Sequence, residues 1–319
     1  MAKLRIEQGG ETEEFQEQVF TADKAGERLD VFCARVSDNT RSAVQRMINS
    51  GDVTLNGAPA KSKDKLRTGD AVTMALRPPE EVDIVPQDIP IDIIYEDADI
   101  AVIDKPKGMV VHPAPGNPDG TLVNALMYHL EGLSGIGGEI RPGIVHRLDA
   151  TTSGLMVVAR NGLAQEGLFK DFKERRVRKE YLALCWGEPP HAEGSVKYPI
   201  GRDPYSRLKM ACVEDGREAW TDYKKLWSCG GKSLVICRLH SGRTHQIRVH
   251  MQAMRCPLVG DRLYAPSRPS PFGPERLFLH AWRLGFTHPR TREEMNFVQP
   301  LPPELTEYVR ELRAGSNSI

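Results

Sequence analysis

Apolar positions change their period several times along the 319 residues, and each change marks an element. In "RLDVFCARV" and "RSAVQRMINSG" they recur at helical spacing, with Val44, Met47 and Ile48 on one stripe. Short helices are therefore predicted over residues 28–36 and from Asn39-Thr40, which supply an N-cap, to Gly51. "VTLNGAPA" reads as a short strand with an Asn56-Gly57 turn, and "TGDAVTMAL" as a turn and a further strand. Residues 1–19 are polar and acidic with little to bury, so a disordered tail is expected there. These patterns predict a small α+β module over residues 20–77, followed by an acidic, Pro-rich linker over 78–90.

From residue 91 the apolar density rises. "IDIIYEDADIAVIDKP" predicts two strands around an acidic turn, and "GTLVNALMYHLEG" a helix. "GLMVVAR" predicts a strand, "NGLAQEGLFKDFKERRV" a helix capped by Asn161, and "RKEYLALCWG" another strand. Two more strands are expected near residues 219–227 and 233–240, and "PPELTEYVRELRAG" predicts a closing helix. Strands commonly follow one another here without helices between them. The expectation for 91–319 is an α+β domain: a mixed, largely antiparallel central sheet with flanking helices and loops.

Composition narrows the class. Hydrophobic residues make up 40% and charged residues 27%, an ordinary balance for a soluble globular protein. No apolar run reaches the length of a membrane span, and "MAKLRIEQGGETEEF" lacks the apolar core of a signal peptide. The six cysteines are scattered without a C-x-x-C pair, which argues against a disulfide framework and suits a reducing cytoplasm. A formal net charge of zero gives no reason to expect a polyanionic partner, yet the signs are segregated. Residues 78–100 hold eight acids and no base, whereas "KDFKERRVRKE" (170–180) holds six bases against three acids.

Candidate chemistry reduces by elimination. There is no G-x-x-x-x-G-K-[ST] phosphate loop and no strand-linked G-x-G-x-x-G. His245 and His250 are five apart, on different faces of a helix, and no H-E-x-x-H occurs, so no metal is expected. Ser153 lacks the G-x-S-x-G elbow of a serine nucleophile. Asp149 in "HRLDATTSGLMVVAR" remains, and alone it reads equally well as a turn-capping aspartate.

Three further segments change that balance: "KPKGMVVHPAPG", "RKEYLAL" and "LHSGRTHQIRVHMQAM". The order K-P-x-G-x-x-V-H, H-R-L-D-x-x-T-S-G-L, K-x-Y-x-A, G-R-T-H-Q-I-R-V-H resembles the RluA/RluD family of pseudouridine synthases. The "GMVVHPAPGNPDGTLVNAL" run is most like the RluD-type branch that acts on large-subunit ribosomal RNA. At the N-terminus, "RLD", "TRSAVQRMINSGDVTLNG" and the closing "GD" resemble the small RNA-binding module of a ribosomal small-subunit protein and some tRNA synthetases. One departure is Ala150-Thr151, where the family often carries Lys-Asp after the catalytic aspartate.

The resemblance implies isomerisation of specific uridines within RNA: the N1–C1′ bond breaks, the uracil turns, and C5 rejoins the sugar. Such a reaction needs no cofactor. It needs a base held out of its stack and a carboxylate that acts on the sugar or the ring. Attack at C1′, addition at C6 and a glycal route are all compatible with one aspartate. By resemblance Asp149, Tyr181 and Arg248 are the catalytic set, with Arg248 as the cation that orients the carboxylate. Tyr181 offers a flat ring and a hydroxyl, and Ile247 an apolar wall. If "HRLD" is extended, alternation sends Arg147 and Asp149 to one face, which lets Arg147 reach the RNA. His146 is expected to pack or hold the loop, and Thr152, Ser153 and Gly154 to form its turn. In the N-terminal module Arg41, Arg46, Lys61, Lys63 and Lys65 are expected to contact phosphates.

Two other readings compete. A non-catalytic RNA-binding protein would keep the basic surfaces but not Asp149, Tyr181 and Arg248 together. A glycosidic hydrolase would normally bring a second carboxylate, and none accompanies Asp149 in these motifs. The expected partner is ribosomal RNA or a large-subunit precursor, with tRNA as the alternative. The protein is expected to be a cytoplasmic monomer without a membrane association.

Overall fold

The computed structural model describes residues 16–37, 41–76, 84–114, 116–131, 133, 142–206, 208–273 and 276–316. The chain divides into two compact units, Met1–Glu81 and Val82–Ile319.

In the first unit the order is β1 (Gln16–Thr21), α1 (Leu29–Val36), α2 (Arg41–Ser50), β2 (Val53–Leu55), β3 (Ala58–Pro59) and β4 (Ala71–Leu76). The sheet runs β1-β4-β2-β3, and its pairs are all antiparallel. Leu29, Phe32, Cys33, Val44, Ile48, Val53, Val72 and Met74 form the core between the helices and the sheet. Asn56 and Gly57 both take positive φ, as a two-residue hairpin turn requires. The structure corrects two expectations. β1 occupies part of the stretch assigned to a disordered tail, and its ladder with β4 supplies the backbone partners its polar sequence gave no sign of. Arg41 does not stand free, because its Nε donates to Asp30 at 3.0 Å. Asp30 is fully buried and also accepts from Arg28 and Gln45. Burial opposes its charge, but those donors hold its carboxyl well below the usual range. The Arg41 pair thus fastens α2 to α1. The Asn39-Thr40 cap and the Arg46 side chain lie outside the described residues.

The second unit contains β5 (Asp92–Glu96), β6 (Ile100–Lys105), α3 (Leu122–His129), β7 (Ser153–Ala159), α4 (Gly162–Lys173), β8 (Arg178–Trp186) and β9 (Glu193–Val196). It continues with β10 (Ile200–Arg202), β11 (Met210–Cys212), β12 (Thr221–Cys229), β13 (Lys232–Leu239), α5 (Gln246–Ala253), β14 (Leu279–Thr287), β15 (Glu294–Val298) and α6 (Pro303–Ser316). The main sheet runs β5-β6-β7-β14-β8-β13-β12-β9, with β15 also on β14. Only the β7–β14 pair is parallel, so the sheet is mixed and largely antiparallel. Both faces are covered. Leu122 and Leu126 of α3 and Ile247 and Met251 of α5 pack with Ile103, Met156 and Ala183. Ala164 and Leu168 of α4 pack with Val102, Val157 and Phe286, and Leu305 of α6 with Leu184 and Phe278.

Two more expectations change here. From residue 84 the expected linker is strapped onto α3: Asn124 Nδ2 donates to the Val85 carbonyl, and the Gln87 amide donates to the Asn124 carbonyl. Ser153 and Gly154 begin β7 rather than closing a turn. Gly154 sits at φ +115°, and a Cβ there would lie 2.4 Å from the Ala281 carbonyl oxygen. Only glycine lets β7 run this close beside β14.

Candidate active site

The chain from Ile144 to Thr152 is a loop leading into β7, and its side chains do not follow the simple alternation of an extended strand. Val145 and Leu148 are buried, while Arg147 is exposed and Asp149 is partly so. His146 turns inward: its Nε2 accepts from the Val157 amide at 3.1 Å, and its ring stacks on Phe172. Burial pushes its pKa down to about 3, so it is neutral packing rather than a proton carrier. A turn closes where the Thr152 amide donates to the Asp149 carbonyl at 3.0 Å.

Lys105, at the end of β6, anchors that turn from behind. Its fully buried Nζ donates to the carbonyls of Pro106 (2.6 Å), Met109 (2.8 Å) and Ala150 (3.3 Å). Burial pushes its pKa down to about 7, against the pull of the Asp149 charge. On the other flank Arg276 donates to Ser153 Oγ, which in turn bonds His280 Nδ1 at 2.9 Å. The loop is therefore held on both sides of Asp149.

α5 brings the cation. Arg248 Nη1 lies 3.3 Å from Asp149 Oδ2. A second carboxylate grips the same guanidinium: Nε reaches Asp261 Oδ2 at 2.8 Å and Nη2 reaches Oδ1 at 2.9 Å. The Tyr264 ring lies 5.0 Å from the guanidinium carbon. Burial works against the charge, but the two carboxylates raise the Arg248 pKa further. His245, in the left-handed region at φ 57° just ahead of α5, places Nε2 3.9 Å from Asp149 Oδ2 and Nδ1 2.8 Å from the Tyr264 hydroxyl. Burial lowers its pKa, with the Asp149 charge opposing.

β8 brings the ring. Tyr181 pairs in register with Cys237 of β13 and Ala281 of β14, and is 6% exposed. Burial, reinforced by the Asp149 charge, raises its phenol pKa, so the hydroxyl keeps its proton at neutral pH. Asp149, Tyr181, Arg147, Ile247 and Arg248 all line one cavity of about 390 Å³. Arg243, His245, Phe169, Phe172, Lys173 and Lys179 line it too. Lys179, whose pKa burial lowers to about 8, lies 5.4 Å from the Phe172 ring centre.

Sequence reasoning missed Asp261, His245 and Lys105 as parts of this arrangement. Lys105 stood in a quoted motif and could have been found there. Asp261 is thirteen positions beyond Arg248 and nothing local marks it. In the other unit Lys61, Lys63 and Lys65 are exposed. Among the described residues one acidic group, Asp97, Asp99 and His288, has metal-ligand spacing. Its oxygens already bond Tyr95, Arg290 and Asn161, which makes it an ion-pair clamp.

A carboxylate held beside a clamped arginine, in one cavity with a buried tyrosine, suits chemistry on a planar base and its sugar. Comparison with known proteins agrees with that reading. Residues 99–253 match the RNA pseudouridylate synthase family, and residues 27–72 match the S4 domain. The chain is 44% identical over 292 residues to an uncharacterised RNA pseudouridine synthase of Bacillus subtilis, covering 91% of this chain and 96% of that protein. It is 42% identical over 304 residues to the ribosomal large subunit pseudouridine synthase D of Xylella fastidiosa, covering 92% and 91%. The human RNA pseudouridylate synthase domain containing 1 superposes with a TM-score of 0.52 at 29% identity, covering 70% of this chain and 95% of that one. Fold, site and relatives converge: the chain belongs to the RNA pseudouridine synthases, with an S4 domain ahead of its synthase domain.

Proposed function

We propose that this enzyme isomerises specific uridines in large-subunit ribosomal RNA, with Asp149 as the catalytic carboxylate. The observation that carries the proposal is the fixed position of Asp149: Arg248 orients it, Asp261 clamps Arg248, and the carboxylate faces a cavity large enough for an extruded nucleotide. In this reading the target base leaves its stack and lies against Tyr181 and Ile247. Asp149 Oδ1 meets the sugar or ring, and Arg248 balances its charge through Oδ2. The protonated Tyr181 hydroxyl stands ready to donate or exchange a proton as the uracil is released and rejoined at C5. Arg147, at the mouth, fills the space left in the RNA by stacking and by phosphate contact.

Lys61, Lys63 and Lys65, with Arg46 earlier in the same module, are proposed to hold flanking RNA from residues 20–77, while residues 91–319 carry the chemistry. Ribosomal RNA is favoured over transfer RNA because relatives of this length and similarity carry a large-subunit name. The enzyme is proposed to act as a monomer. Among the described residues no helix is long and apolar enough to cross a membrane, and the proposed place of action is the cytoplasm, where ribosomal RNA is processed. Mapping pseudouridine in ribosomal and transfer RNA from cells with and without the gene tests this. Loss at discrete large-subunit positions is expected; unchanged ribosomal RNA with loss in transfer RNA would overturn the substrate assignment.

A further inference from the structure

We propose that Phe169 and Lys173 form a second nucleotide subsite at the cavity mouth, which stacks the base neighbouring the flipped uridine and holds its phosphate. The inference rests on the proposed function and deepens it. α4 places Phe169 and Lys173 one turn apart on one face, and both line the cavity. The intervening Phe172 is turned into the wall, stacked on His146 and capped by Lys179. Phe169 differs from the other aromatic side chains of the cavity. It is 47% exposed, whereas Tyr181 is 6% exposed. It is also the one phenylalanine among the large hydrophobics exposed in the described residues. No packing role explains that exposure.

The cavity also has room for more than the target. About 390 Å³ is the size of sites that enclose drug-like ligands, several times what a uracil ring occupies. Tyr181, Ile247 and Asp149 account for the deep end. At the mouth the groups are an exposed aromatic ring and the cations Arg147, Lys173 and Arg243. Lys173 makes no ion pair with an acid among the described residues. An exposed ring beside cations that pair with no acid among the described residues is the combination by which single-stranded RNA is held: bases stack on the ring and phosphates meet the ammonium. A base beside the extruded uridine has lost a stacking neighbour, and Phe169 replaces it.

The test uses the full chain carrying Asp149→Asn, so that binding is read without turnover. Two fluorescent probes are compared: a short oligouridylate, and the same oligomer with all but one uridine replaced by abasic ribose. Protein with Phe169 should bind the oligouridylate more tightly. Phe169→Ala should weaken that binding roughly five- to a hundredfold, the range for one lost base–aromatic stack, and leave the single-base probe unaffected. Phe169→Trp should restore the difference. Lys173→Gln should weaken both probes and lower the salt slope of log affinity by roughly 0.7. Equal loss for both probes in Phe169→Ala, or no loss for either, would overturn the subsite. If protein with Phe169 intact binds neither probe, the failure lies with the proposed RNA function itself.

Discussion

Removing the charge of Asp261 should damage both stability and turnover, although this residue touches no substrate. Arg248 and Asp261 have side chains 8% and 0% exposed, so their pairing is almost fully desolvated. The clamp bonds are 2.8 and 2.9 Å, whereas the bond to Asp149 is 3.3 Å. Asp261 therefore fixes the guanidinium, and the guanidinium then guides Asp149. In Asp261→Asn the amide oxygen can still accept from the Leu263 and Tyr264 amides, as Oδ1 does at 3.1 Å. The amide nitrogen then faces Arg248 Nε, donor against donor. Breaking a buried ion pair from one side costs about 3–5 kcal/mol, and the retained amide bonds put this variant near 3 kcal/mol. With a urea slope of about 3 kcal/mol per molar, the midpoint should fall by about 1 M. Freed from its clamp, Arg248 closes onto Asp149 and removes the carboxylate from its working position, so kcat should fall roughly a hundredfold with KM nearly unchanged. Urea titration and tritium release from C5-labelled uridine in RNA read the two effects. Replacing both partners with apolar residues should restore much of the stability but not the activity. An Asp261→Asn protein with wild-type midpoint and wild-type kcat would refute this chain of positioning.

Tyr181→Phe keeps the ring and should hold RNA affinity while turnover falls on the order of a hundredfold; Tyr181→Leu should lose both, and unchanged turnover in the Phe variant would reduce the residue to a stacking surface. Stability should drop on mild acidification, because burial depresses the His146 and His280 pKa values to about 3 and about 4. Below pH 6.5 the unfolded chain takes up protons that these folded imidazoles refuse, so their contribution is full above 6.5 and lost as pH falls toward 4. By pH 5 each should have cost about 2 kcal/mol, measured by urea titration at pH 7 and pH 5. A chain beginning at residue 84 should still modify RNA at high concentration, but bind more weakly and with a salt slope shallower by about 0.7 to 0.9 per lost phosphate contact; equal affinity and slope would assign the N-terminal module another purpose.

The sheet was legible in the sequence because its strands are apolar runs bounded by turn residues, and β7 and β8 are buried almost end to end. Asp149, Tyr181 and Arg248 were legible only as a set of ordered motifs; singly, each is an unremarkable loop, strand or helix residue. β1 was missed because only Val19 and Phe20 in it are apolar, too few to show a period, and its partner β4 begins some fifty residues further on. The Val85–Ile89 strap looked like a linker because its attachment to α3 runs through backbone groups and the side chains of Asn124 and His129, which composition does not register. His245 enters the site only because its backbone takes a left-handed turn before α5. Asp261 does so only because the chain after α5 folds back under Arg248. Both depend on tertiary geometry, which a linear pattern does not encode.

The central claim is that the Asp149 carboxylate performs the isomerisation. Asp149→Asn preserves shape and leaves an acceptor for Arg248, but an amide is a very poor nucleophile. The most direct measurement is tritium release from C5-labelled uridine in ribosomal RNA, run beside RNA binding by the same variant. The expected result is binding close to wild type with release abolished. Release at a near wild-type rate would show that Asp149 is not the catalyst.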